Sequence, residues 1–323
     1  MWGGMRDLLL AEPAPLLAGL VGVLALLILG GAATLLLAKL KPDKDHSNLR
    51  QRMASWWVMA VLTGVALLFG WPGLTILFAV VSFIALREFL SLAPISAQDR
   101  LLVWLAYFAI PVNYALVATF HYGVYLVFIP VWLFLLTPFL MACIGETQRY
   151  LPRAAIFHWG LVTCVYSVGF IPFLARTPPH QAPQAGPTGM VFFLLLATEL
   201  NDVAQYCWGK TFGRRKIMPK VSPNKTWEGF LGGWATTAAL IWFVGPFFMP
   251  LHGLGLATMA FALPLAGFAG DVTMSAIKRD IGVKDTSALI PGHGGVLDRI
   301  DSLTFAGPVY FHILVFFSLA PFG

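Results

Sequence analysis

The sequence predicts an all-α protein that crosses a membrane about ten times, and three observations predict it. The composition is 58% hydrophobic and only 11% charged, apolar runs recur along the chain, and the basic residues fall almost wholly in alternate loops. Soluble domains carry roughly twice that charged fraction, so the solvent that the 323 residues are built for is a bilayer. A hydrocarbon core takes roughly 20 apolar residues to cross as a helix. Lipid offers backbone amides no partner, and the alternating pattern of a barrel strand is absent, so the spans are helices.

Taken in order, the first apolar run covers 16–38, and the next two, 55–71 and 73–90, are separated only by a turn at Trp71-Pro72-Gly73. A second tight pair, 101–120 and 122–143, turns at His121-Tyr122-Gly123. For each pair a re-entrant path is the alternative to full crossing. Single runs follow at 154–175, 188–209, 229–250, 253–275 and 303–320. The first run lies after Arg6 and resembles a secretory signal, yet it is too long and no small-x-small cleavage site precedes the basic loop, so it reads as an uncleaved anchor. Cys143, Cys164 and Cys207 lie singly in or beside apolar runs without metal-ligand spacing and read as small core residues.

With the N-terminus outside, 19 of the 21 Lys and Arg fall on the cytoplasmic side, leaving only Arg6 and Arg176 outside. That is the positive-inside pattern, and it explains the net charge of +6 without a nucleic-acid partner. Basic loops on that face also attract anionic lipid headgroups.

The chain divides by character into an N-terminal transmembrane region, 1–190, and a C-terminal catalytic region with its loops, 191–323. Eight of the fifteen acidic residues lie between 191 and 302. In the first region Arg87 and Glu88 read as interfacial anchors, and Asp43 and Asp45 as solvated loop charges. No internal repeat is apparent.

Three polar clusters carry the chemistry. In the run 188–209, Asp202, Gln205, Tyr206 and Gly209 follow at spacings of three, four and seven and share one helical face. A carboxylate on a membrane helix is costly and faces a cavity or a partner. The next loop holds six basic residues between 210 and 225 and the string Ser222-Pro223-Asn224-Lys225-Thr226, followed by Glu228-Gly229. Lys and Arg supply charge-assisted donors to phosphate, although the Walker A spacing is missing. The third cluster begins at Gly270-Asp271. Asp271 and Lys278, seven apart, share a face, while Asp298 and Asp301 at i,i+3 point to one site if that segment is helical. Acids from separate helix ends with basic donors suit a nucleotide with Mg²⁺. A salt-bridge network that merely seals a loop is the plainer reading of the same residues.

The stretch Ser275-x-Ile277-Lys278-Arg279-x4-Lys284-Asp285-x-Ser287-x2-Ile290-Pro291-x-His293-Gly294-Gly295-Val296-x-Asp298-Arg299-Ile300-Asp301 resembles the signature of the phosphatidate cytidylyltransferase family. Asn201-Asp202 with Tyr206 and Gly209, and Ser222 to Thr226 with Glu228-Gly229, agree with it. The resemblance covers roughly residues 195–305; Gln205 stands where many bacterial members carry a smaller residue.

The resemblance implies transfer of a cytidylyl group from CTP to phosphatidate, giving CDP-diacylglycerol and pyrophosphate at the cytoplasmic face of a bacterial inner membrane. It implies Mg²⁺, with room for a second metal ion, and membrane lipids as partners; a homodimer is compatible with it. Asp271 and Asp298 then lead in metal binding, with Asp202 and Asp301 as further ligands. Lys225, Lys278 and Arg279 hold phosphates, and Asp271, Lys278, Arg279 and Asp298 form the catalytic set. Ser222, Asn224, Thr226, Lys284, His293 and Arg299 are substrate contacts, while Lys284 and Asp285 have loop organisation as an alternative. A related CTP-dependent enzyme on another lipid phosphate or a polyprenol is the nearest alternative. A transporter is the alternative of another class, and a catalytically inactive scaffold a third.

Overall fold

A computed structural model of the chain describes residues 13–40, 45–95, 97–145 and 147–318. Arg6 and Asp43 lie outside the described residues. Ten long helices occur among the described residues: α1 (Ala14–Leu40), α2 (Ser47–Leu68), α3 (Gly70–Leu92), α4 (Arg100–Ala118), α5 (Tyr122–Ile144), α6 (Tyr150–Leu174), α7 (Gly186–Phe212), α8 (Trp227–Phe248), α9 (Gly253–Ile281) and α10 (Leu297–Phe317). Eight are long and apolar enough to cross a bilayer. The other two, α2 and α7, are of similar length, but Arg50 and Arg52 in one and Glu199, Asp202 and Lys210 in the other lower their hydropathy.

The two tight turns fall slightly earlier than the sequence predicts. The chain reverses at Phe69-Gly70, with Gly70 at φ +66°, and at Thr119-Phe120-His121, with Phe120 at φ +61°. Trp71-Pro72-Gly73 instead form the first turn of α3, where proline lacks only an amide that would be unpaired anyway. Both pairs are helical hairpins with an abrupt reversal rather than broken or coiled re-entrant segments. Internal prolines such as Pro111, Pro138 and Pro172 are absorbed within helices, and π turns occupy Phe128–Leu133 and Val162–Tyr166.

Alternation of the helices sorts the loops to two ends. At one end Arg176 stacks over the rings of Trp71 and Phe120, at 4.3 and 5.4 Å, joining the turns after α2, α4 and α6. At the other, Ser55 Oγ donates to the Pro291 carbonyl at 2.8 Å and buried Asp99 pairs with Arg153. Asp45 accepts from the Ser47 amide and hydroxyl and so opens α2. Tyr125, Phe170, Phe173 and Phe311, from α5, α6 and α10, pack edge-on and tilted in the core. Of the three cysteines only Cys164 is a core residue; Cys143 and Cys207 are exposed.

The 210–225 loop is not wholly irregular. It folds as an antiparallel hairpin, β1 (Lys216–Met218) with β2 (Ser222–Thr226), in which Lys216 opposes Thr226 and Met218 opposes Ser222, with a bulge between. Glu228 fastens it by accepting from the Arg214 and Arg215 amides at 3.0 and 3.2 Å.

Candidate active site

The most extensive helix pair, α7 against α8, makes the floor of the site. It depends on glycine: a Cβ on Gly229 would lie 2.7 Å from the Gln205 carbonyl, and one on Gly233 would lie 2.8 Å from the Gln205 amide. Only without side chains at these two points do the helices approach that closely. Asn201, fully buried on α7, then ties three helices, donating to Pro264 O of α9 at 3.2 Å and accepting from Thr237 of α8 at 3.3 Å.

Where α7, β2, α8 and α9 meet they enclose a cavity of about 460 Å³. Asp202, Gln205, Tyr206 and Gly209 all line it, as their shared face predicts, together with Lys210, Lys216, Asn224, Lys225 and Asp271. Lys225 reaches Asp271 at 2.5 Å and lies 4.5 Å from the Phe268 ring centre. Asp271 also accepts from Ser275 at 3.2 Å. Asp202 accepts from Ser302 Oγ at 2.9 Å, and the Ser302 amide donates to Asp301 at 2.8 Å. Asp202, Asp271 and Asp301 lie within electrostatic reach of one another. Gly270 allows this, because its Cα faces the Asp301-Ser302 backbone with Ser302 Cα 3.2 Å from where a Cβ would stand.

A second acidic pair sits beside the cavity in a different environment. Asp298 takes Lys278 Nζ at 2.7 Å on one oxygen; on the other it takes the Thr286 amide, the Gly295 amide and the Thr286 hydroxyl at 2.8, 2.9 and 2.9 Å. Glu88, from α3, accepts from Ser287 Oγ and the Val296 amide on one oxygen, at 2.7 and 3.0 Å. Its other oxygen accepts from the Leu297 amide and Thr286 Oγ1 at 2.9 and 3.1 Å. Both residues are buried, 5% and 6% exposed. Gly292 and Gly294, at φ +75° and +83°, give the intervening loop the left-handed turns it needs.

The profile of the cytidylyltransferase family matches residues 50–317. The chain belongs to the cytidylyltransferase family. It is thus a nucleotidyltransferase, with its polar cavity among membrane helices. It is similar over nearly its whole length to the uncharacterised protein YnbB of Escherichia coli strain K12, 38% identical over 296 residues, which is 91% of this chain and 97% of that protein. It is 47% identical over 135 residues to the phosphatidate cytidylyltransferase of Haemophilus influenzae, covering 40% of this chain and 45% of the relative. With the enzyme of the same name from Pseudomonas aeruginosa it is 42% identical over 128 residues, 39% of this chain and 47% of the relative. The match to these phosphatidate cytidylyltransferases thus spans less than half of their length.

In this cytidylyltransferase the three sequence clusters converge. Asp298 and Asp301 take different partners from one helical stretch: Asp301 lies within electrostatic reach of Asp202, Asp271 and Lys278, while Asp298 takes Lys278 and the amides of Thr286 and Gly295. Both Asp298 oxygens are engaged by protein donors, Lys278 on one and Thr286 and Gly295 on the other. Lys278, predicted to hold phosphate, is held by Asp298. Arg279 clamps the hairpin, donating to Val221 O at 3.4 Å and Val283 O at 2.9 Å. Thr226 lines the cavity and also caps α8, its hydroxyl accepting from the Gly229 amide at 3.2 Å. Ser222 opens β2, and Lys284 is exposed on the loop beyond α9.

His293 is buried edge-on against Trp56 of α2, ring centres 5.9 Å apart, with Nδ1 lacking a hydrogen-bond partner among the described residues. Burial, then the charges of Arg299 and Arg52, hold its imidazole below the ordinary value of 6.5. The sequence reading gave no site role to Glu88, Glu228 or Ser302. The first was legible by the reasoning applied to Asp202, since a carboxylate inside an apolar helix needs partners; the interfacial-anchor reading is replaced by a buried four-donor site.

Proposed function

We propose that this chain transfers the cytidylyl group of CTP to phosphatidate, forming CDP-diacylglycerol and releasing pyrophosphate, with the cavity facing the cytoplasm and the N-terminus outside. The observation that carries the reading is the pairing of Lys225 with Asp271 on the wall of a lysine-lined cavity set among membrane helices. A lipid phosphate enters such a site from the bilayer and a nucleotide from water. The resemblance of the signature stretch to phosphatidate cytidylyltransferases supports the choice of both substrates.

The lipid phosphate oxygen attacks the α-phosphorus of CTP, the bond to the bridging oxygen of the β-phosphate breaks, and pyrophosphate leaves. Positioning and charge neutralisation suffice for this step, with no covalent protein nucleophile. Lys210, Lys216 and Lys225 are the ammonium groups that face the cavity. They orient the triphosphate and offset charge on the leaving group. Asn224 and Gln205 present amides to the same space.

The donor set suits Mg²⁺. Asp202, Asp271 and Asp301 offer hard oxygens, and their protein donors, one or two each, leave lone pairs free. Among the described residues no group of three or more His, Cys, Asp and Glu side chains forms a metal cage by itself. Mg²⁺ takes one or two carboxylates and completes its shell with water and phosphate oxygens. When bound, Mg²⁺ polarises the phosphoryl oxygens and neutralises developing charge.

The test is incubation of purified protein with labelled CTP, Mg²⁺ and a panel of lipid phosphates, with and without EDTA. The expected outcome is CDP-diacylglycerol and an equal amount of pyrophosphate from phosphatidate, abolished by EDTA. Release of CDP with a phosphorylated alcohol would instead identify a kinase, and substrate movement without pyrophosphate a transporter. A second reading keeps the cytidylyl transfer and changes the acceptor to another lipid phosphate. It is favoured by one observation: the relative that matches over its whole length is uncharacterised, whereas those named for phosphatidate match over less than half of theirs.

A further inference from the structure

We propose that Glu88, on α3 of the first half of the chain, is a positioning residue for the reaction: it holds the loop 286–297 in register and, through Asp298, fixes the Lys278 ammonium within electrostatic reach of Asp301. The inference rests on the cytidylyl-transfer reading and adds to it a residue about 180 positions upstream of the signature stretch.

The geometry runs in a chain. Glu88 accepts from Thr286, Ser287, Val296 and Leu297, that is, from both ends of the loop. Thr286 is the hinge of the arrangement, because its hydroxyl stands 3.1 Å from Glu88 and 2.9 Å from Asp298. A hydroxyl has one proton to donate, so the two carboxylates share it and their positions are coupled. Asp298 in turn holds Lys278 at 2.7 Å. Lys278 lies within electrostatic reach of Asp301, which belongs to the cavity group. The contact with Gly295 is tight as well: a Cβ there would lie 2.8 Å from the Glu88 carboxyl carbon.

A buried carboxylate is retained only when its lone pairs are met, and here all the donors come from one loop. Removing them leaves a buried charge, and removing the charge leaves the loop amides without acceptors. Glutamine cannot substitute. Each Glu88 oxygen faces a backbone amide, Val296 on one side and Leu297 on the other, so the amide nitrogen of Gln would meet a donor in either orientation.

The experiment compares wild type, Glu88→Gln, Ser287→Ala, Lys278→Met and the Glu88→Gln/Lys278→Met double variant in detergent, by steady-state kinetics and by hydrogen–deuterium exchange over residues 284–297. Glu88→Gln is expected to lower kcat roughly 10- to 100-fold, the usual cost of losing such a supporting contact, with KM for CTP within about 3-fold of wild type. Exchange at Gly295, Val296 and Leu297 should rise roughly tenfold or more. Ser287→Ala removes one donor and leaves the backbone bonds, so a loss of a few-fold in the same pattern is expected even if Glu88→Gln fails to accumulate. The double variant should be no slower than Lys278→Met alone, since both changes act through one ammonium. Multiplying losses, or loop exchange unchanged in Glu88→Gln and Ser287→Ala, would overturn the proposal. A wild-type enzyme silent on phosphatidate counts against that acceptor alone; the exchange result still decides the loop, and the kinetics are then read on whichever lipid phosphate yields pyrophosphate.

Discussion

Two groups of carboxylates in this protein differ in the number of protein donors each has. Asp202 and Asp271 line an open cavity, Asp301 lies within their electrostatic reach, and each has one or two donors. Asp298 and Glu88 lie behind it with four donor contacts each. A carboxylate whose lone pairs are met has little left to offer a ligand and serves to shape the backbone. One that remains short of donors is suited to a cation or a phosphate-bound metal. Asp301 and Asp298 show the difference within one signature stretch.

Substitutions that remove charge from each group should break in different ways. The largest effect is expected from Asp298→Asn, which leaves Lys278 buried without its partner and turns a side-chain amide towards loop amides. Breaking such a pair costs about 3–5 kcal/mol, read as a fall in the unfolding midpoint in detergent together with loss of activity. Asp271→Asn should do the reverse. Its pair with Lys225 is partly open, the side chains 16% and 27% exposed, so the stability change should stay within about 1 kcal/mol. Activity should fall by roughly 10²–10³-fold, as when one element of transition-state charge stabilisation is removed. An Asp271→Asn protein that is active, or an Asp298→Asn protein as stable as wild type, would erase the distinction.

Thr286→Val sharpens it further. The hydroxyl shared by Glu88 and Asp298 disappears while the amide bond to Asp298 remains, for an expected loss of about 1–3 kcal/mol, measured by the same midpoint. The smallest effect concerns pH. The buried His293 resists protonation, whereas the unfolded chain takes up a proton near the ordinary value of 6.5. Its contribution is therefore neutral above that pH and turns against folding as pH falls through it. His293→Gln should lose less stability than wild type between pH 7.5 and 5.5; equal losses would remove His293 from the acid response.

Much of this was written along the chain. The apolar runs found all ten helices because bilayer thickness and backbone hydrogen bonding leave little choice of element, although polar ends carry α2 eight residues earlier, α9 six later and α10 six earlier than the runs. The helical period put Asp202, Gln205, Tyr206 and Gly209 on one face, and all four line the cavity. The short hairpin of β1 and β2 was hidden because a basic loop beside a membrane looks the same whether or not its strands pair. The role of Asp298 was hidden for a related reason. Spacing of i,i+3 sets Asp298 and Asp301 on one helical stretch but says nothing of the donors each meets, and those of Asp298 come from Lys278, Thr286 and Gly295.

The sequence by itself determined the class of fold, the end of the bundle that carries the chemistry, and the family. These follow from local composition, period and motif, which each segment carries regardless of its neighbours. Only the tertiary structure decided which acids organise and which remain free, because that depends on donors brought from distant elements. Glu88 meets Leu297 across 209 positions, and Ser302 meets Asp202 across 100. Such contacts exist only once the glycine faces of α7, α8 and α9 have let the helices close around them.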